Sequence, residues 1–95
     1  MNIDELIDAA KRNKGSMSAV AEGLNMNQTR LSDWRAGRRK PDANEIAYLA
    51  DSAGLPVFET VGMIQMQLDN RFAPIWQAAL KKLPKSESLD SWRKR

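Results

Sequence analysis

Between Ser16 and Gly37 the sequence has room for two short helices and almost nothing between them. The first is predicted over Met17 to Leu24, with Ser16 as its N-cap after the chain break at Gly15. The second runs from Asn27 or Gln28 to Ala36 and is stopped by Gly37. Only Asn25 and Met26 are clear linker residues, so the chain must turn sharply and the helices must pack closely. Both demands are met in the sequence. Ala21 is a small residue on the inner face, and Asn25 is, after glycine, the residue that best tolerates left-handed backbone geometry. Val20, Leu24, Leu31 and Trp34 supply an apolar wedge that sets the angle between the two helices.

The rest of the chain also reads as helix, because no period-2 alternation reaches strand length with turn signals around it. Ile3, Leu6, Ile7 and Ala10 form one apolar stripe of a first helix over Ile3 to Asn13. Asp4, Glu5 and Asp8 near its start and Lys11, Arg12 and Lys14 near its end match the helix dipole. Pro41 restrains Lys40 from helical geometry, so residues 37–41 read as a loop. A fourth helix opens on the capping-box pair Asp42 and Glu45, buries Ile46, Leu49, Ala50 and Ala53, and stops at Gly54. Pro56 suits the first position of a fifth helix carrying Val57, Phe58, Val61, Ile64 and Leu68. That helix should end, kink or restart between Asp69 and Pro74, and a sixth segment follows from Ile75 to Leu83, ended by Pro84.

Ninety-five residues make one domain, or one compact domain with an appendage, folding to bury roughly 60–65% of the unfolded surface. The chain contains neither cysteine nor histidine. Disulfides, zinc sites and the common catalytic triads are thereby excluded, and no enzyme activity, metal or cofactor is expected. Met1 to Asp8 mixes carboxylates with single apolar residues, unlike a signal peptide, and no apolar run approaches the roughly 20 residues that cross a bilayer. The expectation is a cytoplasmic protein with no membrane partner.

The net charge of +3 is unevenly spread. Residues 28–40 hold Arg30, Arg35, Arg38, Arg39 and Lys40 against Asp33 alone, whereas residues 41–80 hold Arg71 against five carboxylates. Residues 81–95 are basic again. Such blocks describe a directed electrostatic footprint, suited to nucleic acid or to an acidic protein. With Leu31 and Trp34 facing inward, Gln28, Thr29, Ser32, Asp33 and Arg35 face outward or flank the third helix. Short polar side chains at the N-terminal end of an exposed helix are what reading a DNA major groove requires.

The run V-A-E-G-L-N-M-N-Q-T-R-L-S-D-W-R-A-G-R-R-K-P, Val20 to Pro41, resembles the helix-turn-helix signature of the Cro/lambda-repressor superfamily, the xenobiotic-response-element-type regulators. Leu49-Ala50 and Gly54-Leu55-Pro56-Val57 extend the likeness, which covers about residues 3–60. It implies an all-α fold: a lambda-repressor-like helix-turn-helix domain of four to five helices over residues 1–56, a C-terminal helical extension over 57–83, and a basic flexible tail over 84–95. It also implies roles. Gln28 and Thr29 would read bases, with Ser32 and Asp33 farther along the groove. Asn27, Arg30 and Arg35 would make phosphate or mixed contacts, Arg38, Arg39 and Lys40 would form the phosphate-contacting loop, and the helix start at Ser16 would offer a backbone amide to phosphate. The chain departs from the family in two places: Met17 stands where a buttressing glutamine is common, and Asn25 replaces the turn glycine. Asp33, close to phosphates, would accept from a cytosine amino group or pair with Arg30 or Arg35.

The function implied is a phage- or prophage-type transcriptional repressor in a bacterial cell, bound to double-stranded DNA as a homodimer on a pseudo-palindromic operator. Phe58, Val61, Met63, Ile64, Ile75 and Trp76 exceed what a four-helix core consumes, and are expected on the dimer or partner surface. The alternative is an antitoxin that binds a toxin through residues 57–95 and autoregulates its operon. A third reading is a protein-interaction adaptor that has lost DNA binding.

Overall fold

A computed structural model describes residues 1–83, and the expected basic tail over 84–95, with the helix stop at Pro84, lies outside the described residues. Within them the chain is all-helical, with no strand. The helices are α1 (Ile3–Lys14), α2 (Met17–Gly23), α3 (Gln28–Ala36), α4 (Ala43–Ser52), α5 (Val57–Leu68) and α6 (Ala73–Lys81), with a 3-10 turn at Asn70–Phe72.

Local chemistry sets most helix ends. Asn2 and Glu5 form a reciprocal capping box at α1, and Asp42 and Glu45 form the expected one at α4. Ser16 Oγ accepts from the Ala19 amide and so caps α2. α2, α3 and α4 close in the same way. In each, an amide just past the helix reaches back to a carbonyl five residues earlier: Met26 to Ala21, Arg38 to Asp33 and Leu55 to Ala50. This closure needs a left-handed residue one position before the donor. Gly37 supplies it at φ 79°, and Asn25 supplies it at φ 55°, the one positive φ at a non-glycine residue among those described.

The core draws Leu6, Ile7 and Ala10 from α1, Val20 and Ala21 from α2, Leu31 and Trp34 from α3, and Ile46, Leu49 and Ala50 from α4. Met17, Leu24 and Met26 pack against its edge. Met17 is therefore an apolar support under α2, whereas a glutamine there would have to leave its amide in the same contact. The Tyr48 side chain of α4 reaches over Gly23 of α2, where a Cβ would collide with its hydroxyl.

α5 differs from the expectation of an extension. It packs on α4 and inserts Ile64, 1% exposed, into the same core. Ile64 is therefore not a partner-surface residue, and Val61 also packs partly against the core. Helical periodicity marked their shared face correctly, but α4 covers that face. Pro56 sits one position earlier than expected, at the N-cap, because its ψ of 116° is extended. α6 begins at Ala73, ahead of the expected Ile75, since Pro74 in the first turn gives up an amide that no helical carbonyl needs. Gly62 lets α6 lie close against α5: a Cβ there would meet Trp76 at 3.0 Å and Leu80 at 3.1 Å.

Asp69 organises the α5–α6 junction. Its carboxylate takes Arg71 Nε at 2.9 Å and Nη2 at 2.7 Å, and it accepts the Arg71 amide at 3.2 Å. The Arg71 side-chain bond, helped by its amide and by the charges of Arg71 and Lys40, lowers the Asp69 pKa from 3.8 to about 2. A carboxyl lowered on folding stabilises above its ordinary pKa, and that contribution is lost as pH falls through the folded value. The Asp69–Arg71 fork should accordingly stay intact above pH 3.8 and open as pH falls to about 2. The Arg71 side-chain Nε–H resonance reports this directly, and an Asp69 carboxyl titrating near its ordinary value would contradict it.

Candidate nucleic-acid interface

The turn between α2 and α3 is built from the backbone outward. With Asn25 left-handed, the Asn25 amide reaches Glu22 O and the Met26 amide reaches Ala21 O, both within 3.1 Å. Met26 then turns inward to the core, and Asn27 starts α3 with extended backbone and no side-chain cap bond. The Asn27 amide group is thus not committed to its own helix. Between the helices lies an open groove of about 570 Å³, lined by Ser18, Ala21, Glu22, Asn25, Met26, Asn27 and Gln28.

α3 divides sharply into two faces. Leu31 and Trp34 are 0% and 2% exposed, which fixes the helix against the core. Asn27, Gln28, Thr29 and Ser32 are exposed. Asn27 and Gln28 border the groove, with Thr29 and Ser32 farther along the same helix. All four carry hydroxyl or amide groups, which can both donate and accept and are short enough for the helix backbone to come near a partner. Ser16 is exposed too, at the start of α2.

The basic residues are distributed differently from their sequence order. Arg35 turns back to α1, where Nη1 bonds Asp8 at 3.0 Å and Nε lies 3.5 Å from Asp4. It bridges α3 to α1 at the surface, so its guanidinium is shared with two carboxylates of the chain itself. Arg30 approaches Glu45 at 3.9 Å. Lys40 extends across to α5 and donates to Leu68 O at 2.8 Å, a cation placed on the negative end of that helix. Arg38 and Arg39 remain at the end of α3 with side chains 62% and 60% exposed.

Asp33, expected beside Ser32 as a base reader, does not share the exposure of Asn27, Gln28, Thr29 and Ser32. Its side chain is only 20% exposed; Oδ1 accepts from Arg38 Nε at 2.8 Å and Oδ2 lies 3.9 Å from Arg39 Nε. The expected partners, Arg30 and Arg35, are engaged elsewhere. Sequence reasoning missed Asp4 and Asp8 as the anchor for Arg35. Their spacing of one helical turn put both on one face of α1, and this was the available signal.

α5 and α6 also expose apolar surface. Phe58 is 56% exposed and Ile75 66%, beside a half-buried Trp76 whose ring centroid is 6.2 Å from that of Phe58. Phe72, at 49%, adds to it, and Met63 is half-buried. Of the six residues expected on a partner surface, Phe58 and Ile75 are open, Val61, Met63 and Trp76 are half-buried, and Ile64 is enclosed. No helix among the described residues is long and apolar enough to cross a membrane, and none of their acidic residues cluster as a metal site would require. In comparison with known proteins, no family model, curated protein or solved structure matches the chain.

Proposed function

We propose that this chain is a sequence-specific, double-stranded-DNA-binding transcriptional regulator, a phage-type repressor that grips a pseudo-palindromic operator as a homodimer. One observation carries the reading. The exposed N-terminal half of α3, with Asn27, Gln28, Thr29 and Ser32, stands clear of the core on a two-helix unit held rigid by Leu31 and Trp34. A helix presented this way fits a major groove about 12 Å wide, and its amides and hydroxyls suit adenine and guanine edges. Arg38 and Arg39 flank it where the sugar–phosphate backbone would pass.

One such helix reads only a few base pairs, so useful specificity needs two half-sites about 34 Å apart. The exposed Phe58 and Ile75 beside Trp76 are the surface on which a second copy would close. Selection of bound sequences from a random duplex pool tests the reading. An inverted repeat with half-sites one helical turn apart supports it. A folded protein that retards no duplex at low salt would overturn it in favour of the adaptor reading.

The same apolar surface supports a second reading, an antitoxin that holds a toxin against α5–α6 and represses its own operon. Stable co-purification with the product of a neighbouring gene, one toxic when expressed alone, would favour this reading over a simple repressor.

A further inference from the structure

The loop after α3 carries two arginines beside one carboxylate: Arg38 is hydrogen-bonded to Asp33 at 2.8 Å, and Arg39 lies within ion-pair distance at 3.9 Å. We infer that Asp33 is a positioning residue for DNA binding, holding the Arg38 and Arg39 guanidiniums in a phosphate-ready arrangement; this rests on the DNA-binding reading above. The geometry is specific in three respects. First, Asp33 acts twice on the same loop. Its main-chain carbonyl accepts the Arg38 amide at 2.9 Å and the Arg39 amide at 3.4 Å, while its carboxylate engages the two side chains. The loop backbone and the Arg38 side chain are thus held from one residue, with Arg39 drawn to the same carboxylate at ion-pair distance.

Second, the contact uses Nε. Arg38 gives Nε to Asp33 Oδ1 at 2.8 Å, and Nε is also the Arg39 atom nearest Oδ2, at 3.9 Å. The terminal amino groups of both guanidiniums are left for another acceptor. Two terminal N–H groups on a planar fork match two phosphate oxygens, the arrangement for which arginine is suited and lysine is not. Third, exposure runs in the required order. The carboxylate is 20% exposed and the arginines 62% and 60%, so the acid lies behind the bases, not in front of them. An acid in front would repel phosphate; an acid behind removes rotamer freedom that binding would otherwise have to freeze.

Charge and positioning make opposite forecasts for Asp33→Asn. Removing a negative charge near the interface should tighten binding if charge alone mattered. Loss of the buttress should weaken it, by roughly three- to tenfold on the selected operator and on a random duplex alike, since phosphate contacts carry no sequence information. The probe is a labelled random duplex of about 20 base pairs, two helical turns, beside the operator recovered by selection. In the background of Arg38→Ala with Arg39→Ala, the same change should no longer weaken binding and should tighten it slightly. Asp33→Glu keeps the charge but displaces the carboxylate by one methylene, and should also weaken binding. This separates position from charge even if the asparagine variant proves unstable. Equal or tighter binding by a folded Asp33→Asn protein, or an unchanged loss in the double-alanine background, would overturn the positioning role while leaving DNA binding intact. Failure of the unaltered protein to bind any duplex would overturn the DNA reading itself, and the positioning role with it.

Discussion

Trp34→Ala is expected to remove about 3–5 kcal/mol of folding stability, enough to lower the melting temperature by roughly 15–30 °C. Trp34 is 2% exposed and belongs to the cluster shared by α1, α2, α3, α4 and Ile64 of α5. Truncation would leave a cavity among helices that the rest of the core already holds in place, so the site would relax only partly. A domain of this size has about 5–15 kcal/mol in total, so the variant would sit close to its unfolding limit. Trp34→Phe, which keeps an aromatic ring in the cavity, should cost clearly less. Thermal unfolding followed by circular dichroism measures both. A loss below about 1 kcal/mol, the size of an ordinary surface change, would show that the core does not depend on Trp34 in this way.

Gln28→Ala is the change with the largest expected effect on recognition. Gln28 is exposed at the first position of α3 and borders the groove against α2. Loss of a side chain that pairs with a base edge costs about 1–3 kcal/mol, which is roughly a five- to 150-fold drop on the selected operator. Binding to a random duplex should change little, and the melting temperature should not move. Arg39→Ala should do the reverse, weakening all duplexes to a similar extent and reducing the salt slope by about one. Filter-binding or anisotropy titrations at several salt concentrations separate the two patterns. If Gln28→Ala weakened operator and random duplex equally, the assignment of Gln28 to base reading would fail.

The features legible in the sequence are those decided within a few residues. Ser16 as cap, Asn25 as left-handed turn, Gly37 as stop and the Asp42–Glu45 box all involve neighbours no more than five positions away. The inward direction of Leu31 and Trp34 followed from helical spacing in the same way. What the sequence left open were long-range pairings. Arg35 could have turned to DNA, to Asp33 or to the acids of α1, and it is 27 residues from Asp8, where it docks. Lys40 meets Leu68 across 28 residues. Asp33 had four arginines within reach along the chain, and the choice of Arg38 and Arg39 depends on the backbone reversal after Gly37. Ile64 was expected outside because periodicity defines a helix face without saying which neighbour covers it.

α3 keeps two sets of duties on separate residues. Leu31, Trp34, Arg35 and the Asp33 carbonyl hold it in place. Asn27, Gln28, Thr29 and Ser32 are exposed, and Asn27 contributes no cap. Substitutions at such surface positions usually change stability by no more than about 0.5 kcal/mol each. Those four positions therefore form a cassette that can be rewritten without disturbing the scaffold beneath it. A library randomised at the four sites should yield folded proteins in high proportion.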